Sequence, residues 1–158
     1  MKMKGAIISG YQGIGKSTLS DKSARYLDLE SSNFFVDGKR NDDWYKVYAN
    51  IAINFAKQGY YVFISSHAVV REYLAELNKE HGVDMFVCYP DLSLKEVWLE
   101  RLEKRYKETG LDKDYRSWQN AVDRFDDNIK ELSEAEGFRK VPIKRVPYSL
   151  QYLLFYLI

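Results

Sequence analysis

The residues Gly10 to Thr18, GYQGIGKST, interrupt the chain directly after the apolar run Ala6 to Ser9. A short apolar run reads as a buried strand, so the glycines mark an abrupt exit from that strand toward a helix. Gly10, Gly15, Lys16 and Ser17 fit the spacing G-x-x-x-x-G-K-[ST]. An accidental match in a chain this long has a probability of roughly half a per cent. Glycine lacks a Cβ, which lets successive backbone N–H groups converge, and the N-terminus of the following helix adds partial positive charge. Gly10, Gly13, Ile14, Gly15, Lys16, Ser17 and Thr18 are therefore expected to cradle a nucleoside triphosphate such as ATP. Lys16 would reach its β- and γ-phosphates, and Ser17 would place a hydroxyl on Mg²⁺.

Runs rich in β-branched and aromatic residues recur at GAIISG, NFFVDG, YYVFISS, DMFVCYP and RKVPIKRV. Segments of helical spacing separate them. Trp44, Val47, Ile51 and Phe55 form one stripe, and Val70, Tyr73, Leu74 and Leu77 a second. Leu94, Val97, Trp98, Leu102 and Tyr106 form a third, and Tyr115, Trp118, Val122, Phe125, Ile129 and Leu132 a fourth. A helix carrying Leu19, Ser23 and Leu27 is expected to leave the glycine loop. Ser93 reads as an N-cap and Gly59, Gly110 and Gly137 as helix stops. The order β-α-β-α-β-α-β-α-α-β-α predicts an α/β domain, a parallel sheet covered on both faces. At 158 residues this is one domain, 1–158. The aromatic stripes keep the helical period, which assigns them to the core and not to a base-stacking surface.

The net charge of +1, from 24 basic and 23 acidic residues, gives no global field toward nucleic acid or anionic lipid. One cysteine, Cys88 in an apolar run, leaves no internal disulfide and suits a buried thiol in a reducing cytoplasm. The apolar C-terminal stretch SLQYLLFYLI is half the length of a membrane span and reads as a packing helix. The first residues are too short an apolar run for an export signal, so a cytoplasmic protein with no membrane contact is expected. A guanine-reading N-K-x-D is absent, since the nearest string is Asn78-Lys79-Glu80-His81. The third strand ends Ser65-Ser66-His67, without the acid a motor ATPase places there.

The segment LSDKSARYLDLESSNFFVDGKR resembles the opening of the small P-loop kinases of nucleosides, nucleotides and metabolites, in which the second strand ends in Asp-Gly. CYPDLSLKEVWLERLEKRYKETG is similar to the fourth strand, helix and lid of nucleoside monophosphate kinases. The resemblance implies a three-layer P-loop NTPase fold with a five-stranded parallel sheet of order 2-3-1-4-5. It also implies a lid around residues 101–124 and ATP- and Mg²⁺-dependent transfer of a γ-phosphoryl group. By the same resemblance Asp37 binds the acceptor hydroxyl, holds Mg²⁺ through water, or acts as base. Some metabolite kinases carry a second acid two positions later; Lys39 and Arg40 stand there instead, and this basic pair suggests an acceptor that already bears phosphate. Arg101 and Arg105, four apart, share a helix face suited to clamping one oxyanion cluster, with Lys113, Arg116 and Arg124 as further lid cations. Arg71 stands where the family holds the acceptor phosphate, and His67 is either a polar contact or simply a helix-start residue. The acceptor implied is a nucleoside or deoxynucleoside monophosphate. The alternatives are a 5′-hydroxyl end of nucleic acid and a nucleotide-binding regulatory module without kinase activity.

Overall fold

The computed structural model describes residues 5–16, 24–36 and 39–157. Ser17, Thr18 and Asp37 lie outside the described residues, and of Arg40 only the backbone is described. In chain order the elements are β1 (Ala6–Gly10), β2 (Tyr26–Asp28), β3 (Phe35–Val36), β4 (Lys39–Arg40), α1 (Trp44–Lys57), β5 (Tyr61–Ile64), α2 (Ala68–Leu77), β6 (Asp84–Pro90), α3 (Lys95–Thr109), α4 (Asp112–Ser133), β7 (Arg139–Ile143) and α5 (Leu150–Leu157). β1 is buried along its whole length because it has parallel neighbours on both sides, β5 and β6. The sheet order is β2-β5-β1-β6-β7, all parallel, which is the 2-3-1-4-5 arrangement. All five strands therefore present their carboxyl ends on one edge, where an open α/β sheet binds ligands.

The second strand of the sheet is Tyr26–Asp28, not the run around Phe34 to Val36. Residues Ser31–Phe34 form a 3₁₀ turn, and Phe35–Val36 pairs antiparallel with Lys39–Arg40 in a separate two-stranded ribbon. Tyr26 is held at the sheet edge by ring contacts with Tyr61 and Phe63, at 5.6 and 6.0 Å. Leu27, assigned by spacing to the preceding helix, is thus a strand residue.

Two local expectations shift as well. α1 buries Tyr48, Ala49, Ala52, Ile53 and Ala56, while Val47 of the expected stripe is 55% exposed. The alanines decide the face, since small side chains allow closer approach to β1 and β5 than the bulkier Trp44, Ile51 and Phe55. At the entry to α3, Asp91 caps a 3₁₀ turn by accepting from the Ser93 amide at 3.0 Å, so Ser93 is the capped residue.

Tyr48 joins two strand ends. Its hydroxyl donates to the Leu29 carbonyl at 2.5 Å and accepts from the Ser65 amide at 3.0 Å, which closes the gap between the exits of β2 and β5. Burial pushes this phenol up to about 12, and burial pushes the Cys88 thiol to about 12 as well. Both groups are thus held neutral by the fold, and the stability this provides is present below their unfolded values and lost as pH rises toward 12. Tyr48→Phe is expected to lower unfolding free energy by about 2 kcal/mol, because it leaves a buried amide and carbonyl unpaired. In denaturant titrations between pH 8 and 11.5, the same variant should show a shallower alkaline loss than the parent chain; an unchanged slope would contradict this account.

Candidate active site

The glycine loop leaves β1 with its first amide, Tyr11 N–H, still tied to the Cys88 carbonyl of β6 at 2.9 Å. The next three carbonyls are each held by a side chain. Gln12 O accepts from the Trp98 indole at 2.8 Å, Gly13 O from Arg101 at 2.9 Å, and Ile14 O from the Tyr148 hydroxyl at 3.0 Å. Arg101 also donates to Tyr148 Oη at 2.8 Å and stacks over the Trp98 ring at 4.2 Å. Among the described residues, the amides of Gln12, Gly13, Ile14 and Gly15 have no protein acceptor. A loop with its carbonyls satisfied and its amides unpaired is an anion site in waiting.

Two glycines are needed for this shape. Gly13 has φ +82°, and a Cβ there would meet Leu102 Cδ2 at 3.2 Å and Trp98 Nε1 at 3.3 Å, so the loop lies flush on α3. Gly15 has φ +101° and nothing within 4 Å of its Cβ position, so it serves conformation and leaves open space.

Residues Gln12 to Lys16 line a cavity of about 470 Å³ together with Asp28, Glu30, Arg101, Arg105 and Lys113. Lys16 Nζ donates to the carbonyls of Gly10 and Ile64, at 3.4 and 3.3 Å, which places it across the ends of β1 and β5. Burial lowers its pKa, while the charges of Asp28 and Glu30 act in the opposite direction. Asp28 ends β2, and its pKa is raised first by burial, then by the Glu30 charge; a hydrogen bond with Glu30 adds to this, and Lys16 and Lys113 oppose it. Asp28 and Glu30 thus form a D-x-E pair facing the loop lysine.

The expected site residues divide into groups. Gly10, Gly13, Ile14, Gly15 and Lys16 build the loop as anticipated from their spacing, with Ile14 buried against Gly10. Arg101 faces the same cavity but is bound to the loop's outer carbonyl and to Tyr148. Arg105 lines it too, paired with the buried Asp114 at 3.6 Å; Asp114 in turn accepts from Thr109 Oγ1 at 2.5 Å. The expected lid region forms the end of α3, a left-handed turn at Gly110 and the start of α4. Of its other cations, Lys113 lines the cavity and Arg116 pairs with Asp112 at 3.4 Å.

His67 is the N-cap residue of α2, with Trp44 against its ring at 5.3 Å and Ser31 Oγ at 3.5 Å from Nε2. Arg71 is buried and stands apart from the loop cavity; it donates to Ser66 O and to Glu131 Oε1, both at 2.5 Å. The structure brings to the site three residues that the sequence did not single out, Asp28, Glu30 and Tyr148, and a fourth, Trp98, that spacing assigned to the core. The D-x-E spacing of the first two was legible at Asp28-Leu29-Glu30, hidden by the longer apolar run that follows. Tyr148 carries no local signal, since its hydrogen-bond partners Arg101 and Ile14 are 47 and 134 residues away in sequence.

Among the described residues, no helix is long and apolar enough to cross a membrane, and no group of three or more His, Cys, Asp or Glu is placed to hold a metal. No protein-family model matches the sequence, and no curated protein matches it significantly. Solved structures similar over nearly the whole chain include the tunicamycin resistance protein of Deinococcus radiodurans, with TM-score 0.57, 15% identity, and 98% of this chain and 93% of that one covered. A gluconokinase from Sinorhizobium meliloti 1021 gives TM-score 0.52 at 18% identity, covering 98% and 90%, and APE1195 gives 0.53 at 19%, covering 99% and 93%. What is shared with these chains is the fold, an α/β architecture with a five-stranded parallel sheet of order 2-3-1-4-5 here.

Tyr148→Phe removes one hydroxyl and leaves Ile14 O and one Arg101 donor unpaired. It should cost about 1–2 kcal/mol in chemical denaturation and weaken ADP binding about tenfold by calorimetry. Wild-type ADP affinity in this variant would show that the loop holds its shape without the clamp.

Proposed function

We propose that the protein is an ATP-dependent phosphotransferase that moves the γ-phosphoryl group to a small acceptor. The observation that carries this reading is the opposition, across one cavity, of four unpaired loop amides and Lys16 on one side and the Asp28–Glu30 pair on the other. Phosphoryl transfer needs alignment and charge neutralisation more than a protein nucleophile, and this constellation supplies both.

The loop amides and Lys16 hold the donor phosphates. Arg105 and Lys113 add positive charge from the α3–α4 corner. Asp28, whose pKa is raised first by burial and then by the Glu30 charge, would in its ionised form take the proton of an acceptor hydroxyl. The same carboxylate pair, with the Ser17 hydroxyl of the motif, suits Mg²⁺, a hard cation that prefers oxygen ligands and a few carboxylates beside phosphate. Mg²⁺ when bound would neutralise charge on the donor phosphates. Asp37 and Arg40 remain acceptor-side candidates by resemblance alone.

The acceptor implied by that resemblance, a nucleoside monophosphate, would need Arg71 as its phosphate ligand, and Arg71 is already paired with Glu131. A nucleic-acid 5′-hydroxyl gains no support from the balanced charge of the chain. A purely regulatory nucleotide module does not account for an acid pair set opposite the loop lysine.

Lys16→Ala is expected to cut acceptor-dependent ADP formation on the order of 10³-fold with an unchanged unfolding profile. Wild-type turnover in this variant would refute the donor site. Because the Asp28 pKa is raised, the base form is lost on acidification at a pH above the usual carboxylate range. Glu30→Gln removes one cause of that rise, so the acid limb of kcat/KM should move to lower pH; an unmoved limb would take Asp28 out of the base role.

A further inference from the structure

Beside the loop lies a second, smaller cavity of about 270 Å³, just below the range of about 300–1,000 Å³ for small-molecule sites. Gln12 lines both cavities, so this space adjoins the site of phosphoryl transfer. Its wall is polar except for Leu132: the polar side chains include those of Tyr11, Gln12, Arg71, Asn120, Asn128 and Glu131. Resting on the phosphotransferase reading above, we infer that this cavity receives the acceptor, and that the acceptor is a hydroxyl-rich molecule without a phosphate, of the nucleoside or free-sugar type.

The first ground is the state of Arg71. It is 4% exposed, with one nitrogen on Ser66 O and another on Glu131 Oε1. A phosphate taking this arginine must displace the Glu131 carboxylate, whose side chain is 49% exposed, and so gives up an ion pair already made to a buried guanidinium. The pair leaves the cavity with no net charge.

The second ground is the remaining hydrogen-bonding capacity. Gln12 Nε2 donates to Ser117 O at 2.8 Å, and Asn128 Nδ2 donates to Asn120 Oδ1 at 2.7 Å. Both amides also lie 3.4 Å from Tyr11 Oη, which therefore keeps its own proton to donate. Gln12 Oε1 and Asn128 Oδ1 remain as acceptors, and Asn120 Nδ2 as a donor, without a protein partner among the described residues. Alternating neutral donors and acceptors match hydroxyl groups, each of which donates one bond and accepts others. The wall is also shaped for the purpose. Asn120 and Asn128 are eight residues apart, about 12 Å along a straight helix. The non-helical Arg124 (φ −136°) between them bends α4 and brings the two amides into contact.

The third ground is the charge beside the cavity. Arg71 and Glu131 also line a neighbouring groove of about 900 Å³. That groove carries five glutamates, Glu72, Glu76, Glu131, Glu134 and Glu136, against two cations, Arg71 and Lys79. An excess of carboxylates next to the cavity disfavours an anionic acceptor more than an uncharged one.

The test is calorimetric titration of the full chain, nucleotide-free and ADP-saturated, with nucleosides, free monosaccharides and the monophosphates of each. An unphosphorylated compound is expected to bind at least tenfold more tightly than its phosphate, and the two unphosphorylated series separate a ribose on a base from a free sugar. Asn120→Ala and Asn128→Ala should each weaken that binding at least tenfold with ADP affinity unchanged. Glu131→Gln should reverse the preference toward the phosphate. Preference of the parent chain for a phosphorylated compound, binding of no unphosphorylated compound, or asparagine variants of unchanged affinity would each overturn the inference. The ADP titration, compared between the parent chain and Lys16→Ala, reports separately on the donor site, so failure of that reading is distinguished from failure of this one.

Discussion

The site depends on how three consecutive carbonyls of the glycine loop are held. Trp98 and Arg101 of α3 and Tyr148 after β7 bind Gln12 O, Gly13 O and Ile14 O on the outer side of the loop. A peptide plane fixed through its carbonyl fixes its neighbouring amide as well, so the donors needed for a polyphosphate are set before any ligand arrives. This is preorganisation in the sense that governs electrostatic catalysis: the dipoles are oriented by folding and need no rearrangement during reaction. The arginine used here is stacked on an aromatic ring and bound twice, a geometry that suits a planar guanidinium better than a flexible ammonium.

Around that loop, charge is distributed by sign. Lys16, Arg105 and Lys113 line one cavity with the Asp28–Glu30 pair, and the perturbation of Lys16 and Asp28 in opposite senses by burial marks the kind of environment in which acid–base roles separate. The neighbouring cavity has the reverse character, with its single cation already neutralised by Glu131. On the reading proposed above, the cavity lined by loop amides and lysines would take a polyanion, and the amide-lined space beside it a neutral hydroxyl compound. Both spaces open at the carboxyl edge of the sheet and share Gln12.

How much of this was legible in the sequence varied with the range of the interaction. The loop motif was legible because all its parts lie within nine residues and follow a strand of evident apolar character. The sheet order followed from resemblance, and the connections agree with it. The second strand was misplaced because NFFV has stronger β character than Tyr26-Leu27-Asp28, yet the latter pairs with β5 and packs on Tyr61 and Phe63, while Phe34 packs on Trp44 and Tyr48 of α1 and Phe35–Val36 pairs with Lys39–Arg40. Local propensity lost to tertiary partners, which is the usual outcome for a three-residue edge strand. The same competition set the face of α1, which buries Ala49, Ala52 and Ala56 with Tyr48 and Ile53 and leaves Val47 exposed.

By itself, then, the sequence determined that a glycine-rich turn with a lysine and hydroxyls leaves a buried strand, since that follows from the backbone freedom of glycine and the apolar pattern before it. It also determined an alternating α/β order, because hydrophobic periodicity is a short-range property. Only the tertiary structure decided which acid faces Lys16, that Arg101 braces the loop, and that Arg71 is paired with Glu131. Those outcomes depend on contacts across tens of residues to more than a hundred, and on which charges share a buried space, quantities that no local pattern encodes.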